Sequence, residues 1–268
     1  MVRLIADGKV YIKILYWGMA GSGKTTILET LYKLTKEEQK DITPTGTLTK
    51  ISQASGATLY FDRGVFQSTN QPKVFYNIYT VAGQSRFSPL RKKIYKNTDG
   101  LIFTVDSQTH FIEDNVRSLI ELINISRGEL IKKIPLVVML NKQDLKNVID
   151  VEDFKQVLKE QKLWYEPDHE LYNQNPPIYE TCALYETRKN IYRSFYECVR
   201  RVLKGNGNLP YPYIFKPPEP PGDFEMEVQL QVNKFIDKEP ENGIFCKYCG
   251  MKLTDEERIS HNCRKKPD

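Results

Sequence analysis

A glycine-rich segment near the start of the chain has the residue types and spacing that bind phosphate. In "GMAGSGKTT", four residues separate Gly18 from Gly23, which directly precedes Lys24 and Thr25. In such a P-loop, backbone N–H groups and the N-terminus of the following helix surround an anion. Lys24 would reach the β- and γ-phosphates of a nucleotide, and the Thr25 hydroxyl would ligate Mg²⁺. The residues expected around the phosphates are Gly18, Met19, Ala20, Gly21, Ser22, Gly23, Lys24, Thr25 and Thr26.

A second segment, "NKQD", has the groups needed to select a base. The Asp144 carboxylate can accept hydrogen bonds from N1–H and the exocyclic amine of guanine, a donor pair that adenine lacks. Asn141 would meet the other edge of the base and bind back to the P-loop, and the stem of Lys142 would lie over the ring. In the later segment "TCA", the backbone at Cys182 and Ala183 would bring an N–H group toward the guanine oxygen.

These motifs follow or precede short apolar runs that predict the elements holding them. Strands are predicted in "KVYIKILYWG", "ATLYFDRGVF", "KVFYNIYTV", "GLIFTVD", "PLVVMLN" and "IYETCA". Helices are predicted after the P-loop and over residues 113–126, 151–163 and 187–204. The turn-forming "QSTNQP" joins the second and third strands into a hairpin. The pattern predicts an α/β fold, a mostly parallel sheet with helices on both faces and one antiparallel edge hairpin. The P-loop context disfavours a bare glycine-rich turn.

The order of P-loop, Gly-Gln loop and Asn-Lys-x-Asp resembles the small GTPases of the Ras superfamily. The resemblance covers residues 9–204, and it implies a P-loop GTPase domain. Within it, "TLYFD" and "YTVAGQ" resemble the prokaryotic MglA-type branch, whose phosphate-sensing loop has Thr where other members have Asp. Thr80 stands at that position, so it marks the branch and does not indicate a damaged site.

The resemblance assigns roles to the loop around Thr80. The Gly83 N–H group would bind the γ-phosphate, and Gln84 would orient the attacking water, with Lys24 as the second catalytic residue. A surface turn is the alternative for Gln84. Thr80 would hold Mg²⁺ indirectly, through water, with a neutral hydroxyl. Magnesium affinity without nucleotide is therefore expected to be low.

The remaining Mg²⁺ ligand is left open among the hydroxyls of "DITPTGTLTKISQAS", with Thr45, Thr47 and Ser55 as candidates. Ala57 occupies the position at which the MglA-type branch has an intrinsic arginine finger. Arg63 and Arg86 are nearby, although arginines that flank strands are usually solvated. We therefore expect slow hydrolysis of GTP that a partner protein stimulates.

A metal-ligating pattern lies near the end of the chain. In "CKYCGMKLTDEERISHNC", two cysteines with Cys-x2-Cys spacing are followed by a His-x-Cys pair. Four soft or borderline ligands suit tetrahedral Zn²⁺, and so small a module needs the metal to fold. Free thiols are the alternative. The predicted zinc ligands are Cys246, Cys249, His261 and Cys263.

Composition restricts the cellular setting. The 268 residues are 40% hydrophobic and 27% charged with a net charge of +5, a mild excess that does not by itself indicate nucleic-acid binding. Apolar runs are shorter than the roughly 18 residues of a membrane span. "MVRLIADGKV" lacks the pattern of a signal peptide, Val2 excludes N-myristoylation and "RKKPD" is no prenylation box. A cytoplasmic protein without a lipid anchor is expected.

Three regions follow from these patterns. Residues 1–204 are the expected GTPase domain, residues 205–243 a proline-rich linker with an alternating strand over 224–232, and residues 244–268 a C2HC zinc finger. The strand would pair locally or offer an edge to a partner. We favour a protein-binding role for the finger over a nucleic-acid one, because acidic residues partly balance its basic ones.

The predicted function is a guanine-nucleotide switch that hydrolyses GTP to GDP, with Mg²⁺ and Zn²⁺ as metal cofactors and with GTPase-activating and effector proteins as partners. One alternative is a catalytically idle GTP-binding scaffold whose zinc module binds protein or nucleic acid. The other is an ATP-using P-loop enzyme, which Asp144 opposes.

Overall fold

The computed structural model describes residues 3–4, 8–38, 40–52, 58–84, 87–205, 244–245 and 252–253. Several predictions from the sequence lie outside these residues: the linker and its strand over 224–232, and the positions Ser55, Ala57 and Arg86. The four zinc ligands lie outside them as well: Cys246, Cys249, His261 and Cys263.

Most strands of the described chain belong to one sheet. The strands are β1 (Arg3–Leu4), β2 (Val10–Trp17), β3 (Ile42–Pro44), β4 (Thr49–Ser52), β5 (Thr58–Ser68), β6 (Val74–Thr80), β7 (Gly100–Asp106), β8 (Leu136–Asn141) and β9 (Ile178–Glu180). Their order is β3-β5-β6-β2-β7-β8-β9, with β1 paired to β2 and β4 paired to β5. The pairs β6-β2, β2-β7, β7-β8 and β8-β9 are parallel, whereas β5 and β6 form the predicted antiparallel hairpin.

The helices cover both faces of this sheet, as the alternation of strands and helices predicts. They are α1 (Lys24–Glu37), α2 (Ser88–Tyr95), α3 (Ile112–Ser126), α4 (Val151–Glu160) and α5 (Ile191–Gly205). Two further short strands, β10 (Ile244–Phe245) and β11 (Lys252–Leu253), pair with each other antiparallel. Among the described residues, none of the helices is both long and apolar enough to cross a bilayer.

Alternate residues of the central strands supply two separate hydrophobic cores. In β2, Leu15 and Trp17 pack with α2, α3 and α4, whereas Ile14 and Tyr16 pack with α1 and α5. Every residue of β7 and of β8 is buried, because helices cover both faces of these strands. This burial explains why the central strands have continuous apolar sequences. Their parallel pairing places their carboxyl ends at one edge of the sheet.

The helix α5 lies close against β7. A Cβ atom at Gly100 would come within 2.7 Å of Val202 and 2.8 Å of Cys198, so the small residue permits the close contact. Burial raises the pKa of the Cys198 thiol. This cysteine is therefore a neutral core residue at physiological pH.

Candidate functional site

The predicted phosphate loop connects β2 to α1 at the carboxyl edge of the parallel strands. β2 ends at Trp17 and α1 begins at Lys24, and the predicted residues Met19, Ala20, Gly21, Ser22 and Thr26 lie in this loop and the first turn of α1. Gly23 has a φ of 93°, and a Cβ atom there would lie 2.3 Å from Nδ2 of Asn141. Both the backbone conformation and the available space therefore require glycine at this position.

The Lys24 ammonium group lies inside this loop. Its Nζ donates to the carbonyl oxygens of Gly18 and Met19 at 2.9 and 2.7 Å, and the residue is 6% exposed. A buried ammonium group is costly unless it is hydrogen-bonded, so these two carbonyls hold it within the loop. This placement suits a charge-assisted contact with phosphate.

Asn141 joins the base-reading segment to the phosphate loop. It is the last residue of β8 and is 1% exposed, and its Nδ2 donates to the carbonyl oxygen of Ser22 at 2.8 Å. The predicted bond from Asn141 back to the P-loop is therefore present. It spans 119 residues of sequence and fixes the distance between the two loops.

The next residues of this segment differ in their surroundings. Lys142 has a φ of 69°, and its Nζ lies 2.7 Å from a carboxylate oxygen of Asp106, which ends β7 and is 1% exposed. This ion pair fixes the direction of the Lys142 stem that is predicted to cover the base. Asp144, two residues later, is exposed, so its carboxylate is accessible to a ligand.

The segment after β9 reaches the same edge. The Thr181 N–H group donates to the carbonyl oxygen of Leu140 at 2.8 Å, and the Thr30 hydroxyl of α1 donates to the carbonyl oxygen of Ala183. Cys182 and Ala183 are buried. The P-loop, the Asn-Lys-x-Asp segment and the Thr-Cys-Ala segment are thus brought together at the carboxyl ends of β2, β8 and β9, where open α/β sheets bind ligands.

The Gly-Gln loop after β6 lies directly on the P-loop. A Cβ atom at Gly83 would be 2.1 Å from the backbone nitrogen of Ala20 and 2.3 Å from the carbonyl carbon of Met19. Only glycine permits this approach between the two backbones. Gln84 follows it and is half-buried. The loop predicted to sense the γ-phosphate therefore borders the loop predicted to hold it.

Arg91 of α2 binds the backbone of the Gly-Gln loop. One of its terminal nitrogens donates to the carbonyl oxygens of Ala82 and Gln84 at 2.8 and 2.5 Å, and the other makes two bonds of 2.7 Å to Glu121 of α3. Arg91 is 3% exposed. A bidentate pair of this kind is geometrically specific, so Arg91 connects the loop to α3.

A buried carboxylate lies beside the predicted magnesium ligands. One oxygen of Asp62, in β5, accepts hydrogen bonds from the hydroxyls of Thr25 and Thr80 at 2.6 and 2.8 Å. Asp62 and Thr80 are 1% and 0% exposed. Magnesium prefers oxygen ligands and charged carboxylates, so this group of side chains fits the Mg²⁺ ion that is typical of P-loop GTPases.

The described candidates for the remaining magnesium ligand lie elsewhere. The Thr45 hydroxyl donates to the carbonyl oxygen of Val65 at 3.2 Å, and Thr47 is exposed. No hydrogen bond among these described residues joins Thr45 or Thr47 to Thr25. β4 also pairs with β5, and its Lys50 is opposite Asp62.

Three residues of the site were not predicted from the sequence: Asp62, Arg91 and Asp106. Asp62 directly follows the apolar residues "LYF" of β5, and Asp106 ends the largely apolar β7. An acidic residue next to an apolar run can indicate a functional site, because Asp is rarely buried unless it is paired. Arg91 carries no comparable signal, because it lies among other basic residues in "RKK".

Comparison with known proteins places the geometry in a family. The model of the ADP-ribosylation factor family matches residues 1–195. The mutual gliding-motility protein MglA of Myxococcus xanthus is 35% identical over 166 residues, which cover 58% of this chain and 79% of that protein. ADP-ribosylation factor-like protein 3 of Caenorhabditis elegans is 30% identical over 153 residues, covering 55% and 69%.

A solved structure shows the same fold. The Arl6 BBS3 small GTPase of Trypanosoma brucei, with the nucleotide analogue GppNp, superposes with a TM-score of 0.51 at 19% identity, covering 73% of this chain and 99% of that chain. The predicted α/β P-loop GTPase fold is confirmed. The family match, the identity with MglA and this arrangement of loops all indicate a small GTPase. The chain belongs to the ADP-ribosylation factor family of Ras-superfamily small GTPases.

Proposed function

We propose that this protein is a guanine-nucleotide switch that hydrolyses GTP to GDP and signals its nucleotide state to partner proteins. One observation carries the proposal: Asn141, from the base-reading segment, donates to the Ser22 carbonyl of the phosphate loop. A nucleotide bound by one segment would therefore meet the other at a fixed distance. GTP or GDP and Mg²⁺ are the ligands typical of the family.

The exposed carboxylate of Asp144 supports guanine as the base. Guanine offers two adjacent donors on the edge that this carboxylate would meet, and adenine does not. An ATP-using P-loop enzyme is the competing interpretation. Asp144 opposes that interpretation, because adenine lacks the pair of donors that its carboxylate would accept.

Exchange of the acceptor at position 144 tests base choice. We expect Asp144→Asn to lose GTP affinity by at least about tenfold and to gain affinity for xanthosine triphosphate, because the new amide can donate to the C2 carbonyl of xanthine. Competition against a fluorescent guanine nucleotide measures both. Asp168→Asn, an exposed carboxylate far along the chain from these loops, is the control. Preference of the parent protein for ATP would refute the assignment.

Turnover separates a switch from an idle scaffold. Gly83 and Gln84 border the P-loop, an arrangement that supports hydrolysis by a positioned water molecule. We expect slow conversion of bound GTP to GDP in a single-turnover assay. GTPase-activating and effector proteins are the proposed partners, and the cytoplasm is the proposed location. GTP that stays intact over hours, with or without cell extract, would favour the scaffold.

We also propose that the C-terminal region binds zinc through Cys246, Cys249, His261 and Cys263 and acts as a protein-interaction module. The spacing of these residues supports a tetrahedral site. The antiparallel pairing of β10 with β11 is a second support, because these strands flank the Cys-x2-Cys segment. Thiolate and imidazole ligands match the chemistry of Zn²⁺.

A further inference from the structure

The proposed magnesium site has a carboxylate that its own loop does not supply. Thr80 stands where an acid is expected, and a threonine hydroxyl carries no charge. Asp62 of β5 lies beside it, and a single oxygen of its carboxylate accepts bonds from both Thr25 and Thr80. We propose that Asp62 supplies the negative charge of the Mg²⁺ site and holds the Thr25 hydroxyl in place for the metal. This inference rests on the proposed function as a guanine-nucleotide switch.

Strand pairing explains why Asp62 reaches this position. β5 and β6 are antiparallel, with Arg63 opposite Tyr79. The next pair in the same register places Asp62 opposite Thr80, and directly opposite residues project to the same face of a sheet. The Asp62 N–H group also donates to the Thr80 hydroxyl at 3.1 Å. Thr80 is therefore held by both the backbone and the side chain of Asp62.

Helix packing brings the third partner to the same face. Phe66 of β5 and Leu28 of α1 belong to one hydrophobic core, and a Cβ atom at Gly64, two residues after Asp62, would lie 3.2 Å from the Leu28 side chain. Leu28 is three residues after Thr25, so the two lie on one side of the helix. The packing of β5 on α1 therefore brings Thr25 and Asp62 close together in addition to their hydrogen bond.

The chemistry agrees with this role. A hydroxyl that ligates a metal through its oxygen can still donate its hydrogen to a carboxylate. Asp62 could therefore keep its bond to Thr25 and add charge beside the metal, as residues behind a metal's direct ligands do. From the sequence alone, the neutral Thr80 hydroxyl is expected to hold Mg²⁺ through water. Asp62, which is 1% exposed, would add a carboxylate beside that hydroxyl.

The test measures how much Mg²⁺ is needed to slow the release of fluorescent GDP. For Asp62→Asn we expect an increase of about tenfold in the half-effective Mg²⁺ concentration, with the release rate in EDTA unchanged. The Asn side chain keeps the shape and an acceptor oxygen but removes the charge. Asp41→Asn, a carboxylate bonded to Asn70 and Tyr192, should behave like the parent protein.

A charge-exchange variant sharpens the result. Asp62→Asn combined with Thr80→Asp returns one carboxylate to the opposite strand, and we expect it to recover most of the Mg²⁺ response. Asp62→Thr replaces the Asn variant if that variant fails to fold, as judged by circular dichroism. An unchanged Mg²⁺ response in the charge-neutral variants would overturn the role of Asp62. Failure of the parent protein to bind GDP at all would instead refute the proposed function, and this inference with it.

Discussion

At the scale of single residues, the proposed site consists of side chains that each connect two segments distant in sequence. Asn141 connects β8 to the P-loop, Lys142 pairs with the end of β7, and Asp62 connects α1 with β6 through two hydroxyls. Residues that share partners in this way have non-additive effects when they are changed. A single substitution at one of these positions therefore affects two segments at once. Conservative exchanges are the most informative, because they change one property of the side chain at a time.

Gln84 can be tested with little effect on these connections. We expect Gln84→Leu to bind GTP with the parent affinity and to hydrolyse it at least about tenfold more slowly, because leucine cannot orient a water molecule. Single-turnover measurements with excess protein isolate the chemical step. Gln156→Leu, on the exposed face of α4, is the control. Equal rates for parent and Gln84→Leu would assign the positioning of water to another group.

At the scale of elements, burial on both faces made the central strands predictable. The predicted strand "GLIFTVD" matches β7 from Gly100 to Asp106. Every residue in it is buried, so the strand has a continuous apolar sequence and not an alternating one. The helix expected over residues 187–204 begins later, at Ile191. The preceding residues pair instead with the loop after β9, through the bridge between Cys182 and Lys189. Long-range pairing here overrode helical periodicity.

Other elements and residues have no sufficient local signal. β3 and β4 are three and four residues long and depend on pairing with β5. α2 is an eight-residue helix with a proline near its start. The site divides in the same way: the P-loop and Asn-Lys-x-Asp segments are contiguous and were predicted. Asp62 and Arg91 act on partners from other strands or helices, so their roles required the fold.

Arg91 gives an element-scale prediction, because it ties the Gly-Gln loop to α3. We expect Arg91→Lys to lower the free energy of unfolding by about 1–3 kcal/mol, since lysine keeps the charge but cannot maintain both carbonyl bonds and the bidentate pair. Urea denaturation measures this change, and hydrogen exchange at residues 81–84 should become faster.

The control for Arg91 is Arg117→Lys. Arg117 pairs with Asp114 on the surface of α3 with 67% of its side chain exposed, and its exchange should change stability by less than about 0.5 kcal/mol. Equal hydrogen exchange at residues 81–84 in the Arg91 variant and the parent would show that the loop does not depend on this tether.

At the scale of the whole molecule, the family match and the metal-binding pattern occupy different parts of the chain. The family model ends at residue 195, whereas the four proposed zinc ligands fall between residues 246 and 263. The intervening sequence is rich in proline and glycine, a composition typical of spacers. We therefore expect the proposed nucleotide site and the proposed zinc site to be independent of each other.

This separation gives the last prediction. We expect about one zinc ion per chain. Its removal by a chelator should unfold the small metal module, which derives most of its folding free energy from the metal. GDP affinity should stay unchanged, because the proline-rich sequence separates this module from the GTPase domain. Cys246→Ser removes one thiolate with little change in size and should abolish stoichiometric zinc, whereas Lys247→Ser alters a neighbour that has no soft ligand atom and should retain it. Metal analysis and fluorescent-GDP titration are made on the same samples. A loss of GDP affinity in proportion to lost zinc would show that the two properties are coupled, and the proposed independence would then be wrong.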